Sequence, residues 1–93
     1  MIIDLLKFTV KDGRGDASAA LMKEQAVNTR GDEGCEYAHV FRSKENPDEL
    51  YMLMAWADQE SVEKHLKTEH DLRFREGLDP ELARPPEFFE LIT

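Results

Sequence analysis

From Ile2 to Val10 the chain runs through aliphatic and β-branched residues, which reads as a strand. Lys11 to Gly15 is a turn, and Asp16 stands where an N-cap would. From Ala17 to about Thr29 helix formers carry an apolar stripe at Ala19, Met22 and Ala26. Gly31-Asp32-Glu33-Gly34 stops that helix. Cys35 to Arg42 then alternates, with Cys35, Tyr37, His39 and Phe41 on one side and Glu36, Ala38, Val40 and Arg42 on the other. Lys44 to Asp48 is a hairpin-type turn, and Tyr51 to Ala57 is a third strand. Asp58 caps a second helix with Val62 and Leu66 on its apolar face. Glu69 falls within that face, so a bend or break is expected around Thr68–His70. One or two more turns follow, with Phe74 and Leu78 one turn apart. Asp79-Pro80 and Pro85-Pro86 mark an extended connection, and Glu87 to Thr93 closes as a fourth strand.

The order β-α-β-β-α-β predicts an α+β, ferredoxin-like fold: a four-stranded antiparallel sheet with both helices on one face. One domain over residues 1–93 is expected, since compact domains usually run to ~100–150 residues. The strands are apolar on both faces. Tyr51, Leu53 and Ala55 oppose Met52, Met54 and Trp56; Leu6, Phe8 and Val10 oppose Ile3 and Leu5; Phe88 and Ile92 oppose Phe89 and Leu91. Two helices cover only one face, and monomers seldom leave a large apolar patch in water. A homodimer through the open sheet face is the expected remedy. The competing arrangement is a monomer whose 79–87 segment wraps that face.

Charge narrows the function classes. A formal net charge of −8 argues against nucleic acid, whose phosphates need a basic stripe, and against an anionic membrane surface. No apolar run reaches the ~20 residues of a membrane span. The start at Met1-Ile2-Ile3-Asp4 lacks the order of a secretory signal. With one cysteine, Cys35, no internal disulfide is possible, and a cytoplasmic protein is expected. Three histidines and one cysteine are few for a metal cage. On one continuous helix His65 and His70 would lie about 140° apart and share no face, so no metal centre is expected. The two Arg-Gly-Asp tripeptides, at 14–16 and 30–32, are read as turn chemistry.

Asp32-Glu33-Gly34-Cys35-Glu36-Tyr37, then Asn46-Pro47-Asp48, then Trp56-Ala57-Asp58-Gln59-Glu60-Ser61-Val62-Glu63-Lys64-His65, with His70 beyond, resembles the antibiotic biosynthesis monooxygenase family. That family often opens its second strand with Glu-Pro-Gly-Cys and a nearby tyrosine. A tryptophan ends its third strand, with a histidine nine residues on and often another five further. The match covers about residues 32–74, and among family members this sequence is nearest in pattern to the quinol monooxygenases. The resemblance implies a dimeric α/β barrel built from two ferredoxin-like halves. There are departures. Asp32-Glu33-Gly34 lacks the proline, Met54 stands where an acidic residue is common, and the first strand has no asparagine of the kind used by the haem-degrading branch.

The resemblance implies oxygenation of a phenolic, quinol or polyketide-like ring by O2, with no cofactor. Triplet oxygen reacts slowly with closed-shell molecules, so the substrate itself must become an electron donor by losing a proton. Such chemistry needs a dry apolar pocket for a flat ring, a base, and a donor that steadies the oxyanion. The expected catalytic residues are His65, as base or orienting donor, and Trp56, shaping the pocket. His39, Phe41, Met52, Met54, His70 and Phe74 are the expected substrate-binding residues, since histidine titrates near neutrality and the others are apolar walls. Packing explains each of them as well: Trp56 as core, the methionines as fillers, His65 and His39 as hydrogen-bonded histidines, His70 as a cap. Cys35 has no adjacent basic residue to activate it. Two alternatives remain: a non-catalytic dimer that holds an aromatic ligand, and haem binding and degradation with His65 as axial ligand.

Overall fold

A computed structural model describes residues 1–92. Strand β1 (Ile2–Thr9) leads to helix α1 (Gly15–Arg30), and β2 (Cys35–Arg42) and β3 (Glu49–Trp56) form a hairpin. Helices α2 (Gln59–Leu66) and α3 (Glu69–Leu78) and a 3₁₀ turn at Asp79–Glu81 precede β4 (Glu87–Leu91). All strand pairs are antiparallel, in the order β2-β3-β1-β4. The expected ferredoxin-like order is therefore met. Of the expected fourth strand, Thr93 lies outside the described residues. No helix among the described residues is long and apolar enough to cross a membrane.

The barrel expectation is corrected. The sheet is open: β2 and β4 are its two edges, and neither pairs with the other, so four strands end without closing. Closure would need a strand pairing across those edges, and β4 has only five residues to offer.

The two-faced strand pattern has a simple cause. Phe8, Ala38, Leu50, Met52, Met54 and Trp56 point toward the helices and pack with Met22, Ala26, Phe74 and Leu78 into one core. The other face carries Ile3, Leu5, Leu53 and Ala55 in register, with Tyr37, His39 and Phe41 on β2 and Phe89 and Leu91 on β4. No element among the described residues covers that face. The 79–87 segment stays on the helix side, where Leu82 bridges Val10 and joins the core. Phe41 and Phe89 are therefore left largely exposed.

Two local expectations about the helices are revised. Asp16 is not the cap of α1; Arg14 holds that position without a side-chain bond. The cap comes from the β2–β3 turn, where the Asp48 carboxylate accepts from Gly13 N at 3.3 Å and Gly15 N at 3.0 Å. Asp16 instead pairs with Arg42 at 2.7 Å. In α2 the buried residues are Ser61 and His65, while Leu66 is 48% exposed. Of the expected apolar face Val62 packs against the core, whereas Leu66 does not, because α2 ends after eight residues and also turns Ser61 and His65 inward.

Candidate functional site

The break between the last two helices builds the site. Thr68 has extended backbone and caps α3: its Oγ1 accepts from Asp71 N at 3.2 Å and donates to the His65 carbonyl at 2.7 Å. Thr68-Glu69-His70-Asp71 is a capping-box pattern, so a helix restarts there. With His65 at the end of α2 and His70 at the start of α3, the angular argument from one continuous helix no longer applies. The two imidazoles face each other, centroids 5.6 Å apart.

A second constraint is Gly34. Its φ of +83° is a left-handed conformation, and a side chain there would overlap Ser61. Glycine thus lets the loop after α1 press against the start of α2. The same contact carries Asp32 under both histidines. His65 Nδ1 lies 2.7 Å from Asp32 Oδ2, and His70 Nε2 lies 2.9 Å and 3.0 Å from the two Asp32 oxygens.

The network then closes through α1 and α3. His65 Nε2 lies 3.3 Å from Asp71 Oδ1. Gln25, buried in α1, donates its amide nitrogen to the same oxygen at 3.2 Å, and its Oε1 lies 3.1 Å from His70 Nδ1. Asp32, His65, Asp71, Gln25 and His70 form one ring of polar contacts. Only about 5% of the surface of His65 and of Asp71 is exposed. Such a network must be nearly fully satisfied, since each unpaired buried group costs ~1–3 kcal/mol.

Burial alone lowers the His65 pKa, but the bonds to Asp71 and Asp32 and their charges more than offset it. The net shift is upward, so His65 favours the imidazolium that both carboxylates accept from. Asp71 has one weak point. Its Oδ2 is buried without an aligned donor. Arg75 Nε approaches to 2.9 Å, within ion-pair distance but without hydrogen-bond alignment. The angle governs the bond, so Oδ2 keeps spare acceptor capacity.

The expected site residues divide into groups. Trp56 is fully buried and packs on His65, centroids 4.8 Å apart at 40°. Met52 and Met54 are core residues on the same side of the sheet. His70 is in the ring, and Phe74 lies beside it on α3. His39 and Phe41 are not with them: they lie on the far face of edge strand β2, in a row with Tyr37. The alternation of β2 already separated them from Ala38 and Val40, which face the helices.

A largely apolar cavity of about 240 Å³ lies between α3, β1 and the 79–86 segment, lined by Leu6, Phe8, Phe74 and Leu78, with Asp71 in its wall. Of the expected pocket walls only Phe74 lines it. Gln25, Asp32 and Asp71 were not among the expected site residues. The capping box at 68–71 was the one local signal for Asp71, and Asp32 opens the stretch that carries the family resemblance; Gln25 joins through tertiary contacts alone. His65, buried under Trp56 with carboxylates at both nitrogens, leaves a porphyrin no approach.

The family model described as antibiotic biosynthesis monooxygenase matches residues 1–77. No curated protein matches the chain. Among solved structures, a Nitrosomonas europaea protein provisionally named an antibiotic biosynthesis monooxygenase superposes with a TM-score of 0.94 at 16% identity, covering 100% of this chain and 98% of that one. A Pseudomonas aeruginosa protein gives 0.91 at 23% identity over 99% and 92% of the two chains. A conserved Methanosarcina mazei protein gives 0.90 at 27% over 99% and 91%.

Proposed function

The chain belongs to the antibiotic biosynthesis monooxygenase family, and we propose that it oxidises a phenolic, quinol or polyketide-like ring with O2 and no cofactor. One observation carries the reading: Asp71, buried and in contact with His65 behind it, stands in the wall of an apolar cavity. A flat ring in that cavity would lie against Phe8, Phe74 and Leu78, with a hydroxyl toward Asp71. The hydroxyl proton passes to the Asp71 carboxylate. His65, held by Asp32 from behind and by Trp56 on its face, orients Asp71 for that transfer. The ring anion then supplies electrons to O2. One oxygen atom bonds to a ring carbon, the other leaves as water, and all the electrons come from the substrate.

Met52, Met54 and Trp56 serve this site as the packed floor that holds His65. The active form is a homodimer through the open sheet face, supported by the uncovered row of Ile3, Leu5, Leu53, Phe89 and Leu91. His39 and Phe41 then act at that interface. A cytoplasmic location fits the single, free Cys35. Oxygen uptake by the purified protein with a panel of hydroquinones and polyphenols tests the activity. Uptake that needs folded protein and falls in His65→Ala supports it; the same rate with His65→Ala rejects the role given to His65.

A further inference from the structure

The ring of polar contacts has a property that proton chemistry does not use. Each histidine is held at both nitrogens, one toward Asp32 and the other toward a separate acceptor. His65 Nε2 is directed to Asp71 and His70 Nδ1 to Gln25 Oε1. The Gln25 amide cannot be reversed, because its nitrogen serves Asp71. The other nitrogen of each ring, His65 Nδ1 and His70 Nε2, is aimed at the one carboxylate of Asp32. Metal-bound imidazoles are arranged this way: the far N–H is fixed by a carboxylate or carbonyl, and the near lone pair is turned to the ion.

We propose that Asp32, His65 and His70 form a binding site for one divalent first-row transition-metal ion, with Asp71 and Gln25 as the outer acceptors that orient the two imidazoles. The three donor atoms lie within 4.8 Å of one another. Ligands on a tetrahedral ion at ~2.0–2.1 Å stand roughly 3.3–3.4 Å apart. The present Asp32–histidine spacings of 2.7–3.0 Å would open by roughly 0.3–0.7 Å to reach that geometry. Two imidazoles and one carboxylate select zinc-like ions over Mg²⁺ or Ca²⁺, which prefer oxygen donors. The side chains of His70 and Asp32 are 21% and 16% exposed, so the site borders solvent.

This inference does not rest on the monooxygenase reading. The ion would sit on the Asp32 side of His65, away from the apolar cavity, and would fix the Nε2–H toward Asp71. The test uses the full chain stripped with a chelator. Zn²⁺ is titrated by calorimetry and Co²⁺ by visible absorption, with circular dichroism to confirm that each variant is folded. We expect one ion per chain, affinity that rises with pH as ligand protons are released, and a Zn²⁺-dependent increase in melting temperature. His70→Gln and Asp32→Asn abolish that increase, and Gln25→Ala weakens binding by about 10–100-fold. No saturable binding, binding untouched by His70→Gln and Asp32→Asn, or Mg²⁺ binding as tightly as Zn²⁺ overturns the proposal. Oxygen uptake is not read, so failure here leaves the proposed activity standing, and failure of that activity leaves this site standing.

Discussion

The His65 imidazole and the Asp32 carboxylate meet at 2.7 Å, tying the loop after α1 to the end of α2. Together with Asp71 this contact raises the His65 pKa against the opposing effect of burial. The sign of the consequence follows from linkage. A group whose folded-state pKa lies above its unfolded value of about 6.5 stabilises the fold fully below that value, and the stabilisation is lost as pH rises through the folded value. Urea midpoints of the wild type and His65→Gln should therefore differ most at mildly acidic pH and converge as the solution becomes alkaline. A gap that widens with pH would show that His65 is held neutral.

Removing the His65 side chain should lower oxygen uptake by roughly 10²–10⁴-fold, the usual weight of a positioned acid–base group. Asp71→Asn should do the same, since it removes the acceptor at the cavity wall while leaving an amide of the same shape. Asp32→Asn should cost less, because Asp32 lies behind His65 and acts only through it. Initial rates for the three variants, with folding confirmed by circular dichroism, check that order. Equal losses in Asp32→Asn and Asp71→Asn would point to the ring failing as a unit.

Strand patterns were readable because they are local. β2 runs from Cys35 to Arg42 as its alternation implies, and Met52, Met54 and Trp56 share the helix-facing side because strands have period two. The helix break was also legible, since Glu69 could not sit in an apolar face. What it creates was not. Reading His65 and His70 as points on one helix set them apart, whereas the restart at Thr68 brings them together. The cap of α1 was missed for a similar reason: Asp16 satisfies the local rule, but Asp48 reaches Gly15 N from 33 residues away. Gln25 gives no local sign of burial within a helix whose other glutamine-like and charged residues face water, and only packing of α1 on α3 encloses it.

Asp48→Ala should destabilise the fold by about 0.5–2 kcal/mol, the cost of losing a helix cap. Asp16→Ala should matter less, because its partner Arg42 forms an exposed ion pair. Denaturant unfolding of both variants distinguishes them. The reverse ranking would mean that the local position at 16, rather than the Asp48 turn, holds the start of α1.

Gly34→Ala combines two penalties. A φ of +83° disfavours any side chain, and the added methyl would overlap Ser61. We expect a loss of about 1–3 kcal/mol, read as a lower urea midpoint. The local consequence is more informative than the total. If the loop retreats from α2, Asp32 leaves the two histidines, so the pH dependence of stability assigned to His65 should flatten in Gly34→Ala. Unaltered pH dependence would show that α2 moves instead and carries His65 with the loop.

The open sheet face supplies the sharpest test of assembly. Leu53 sits at its centre, opposite Leu5 on β1 and His39 on β2, while Phe89 and Leu91 extend the apolar row to the β4 edge. A stable interface generally buries ~1,200–2,000 Å² in total, and a four-stranded face offers a surface of that order. Placing a charge at its centre costs more than at its rim, because the central residue is fully desolvated on association. Leu53→Lys should therefore give a folded monomer by light scattering at concentrations where the wild type is a dimer. Glu87→Lys, at the outer end of β4, should leave the dimer intact. A wild-type protein that stays monomeric at high concentration would remove the dimer from the proposal, and the row of Tyr37, His39 and Phe41 would then need a different partner.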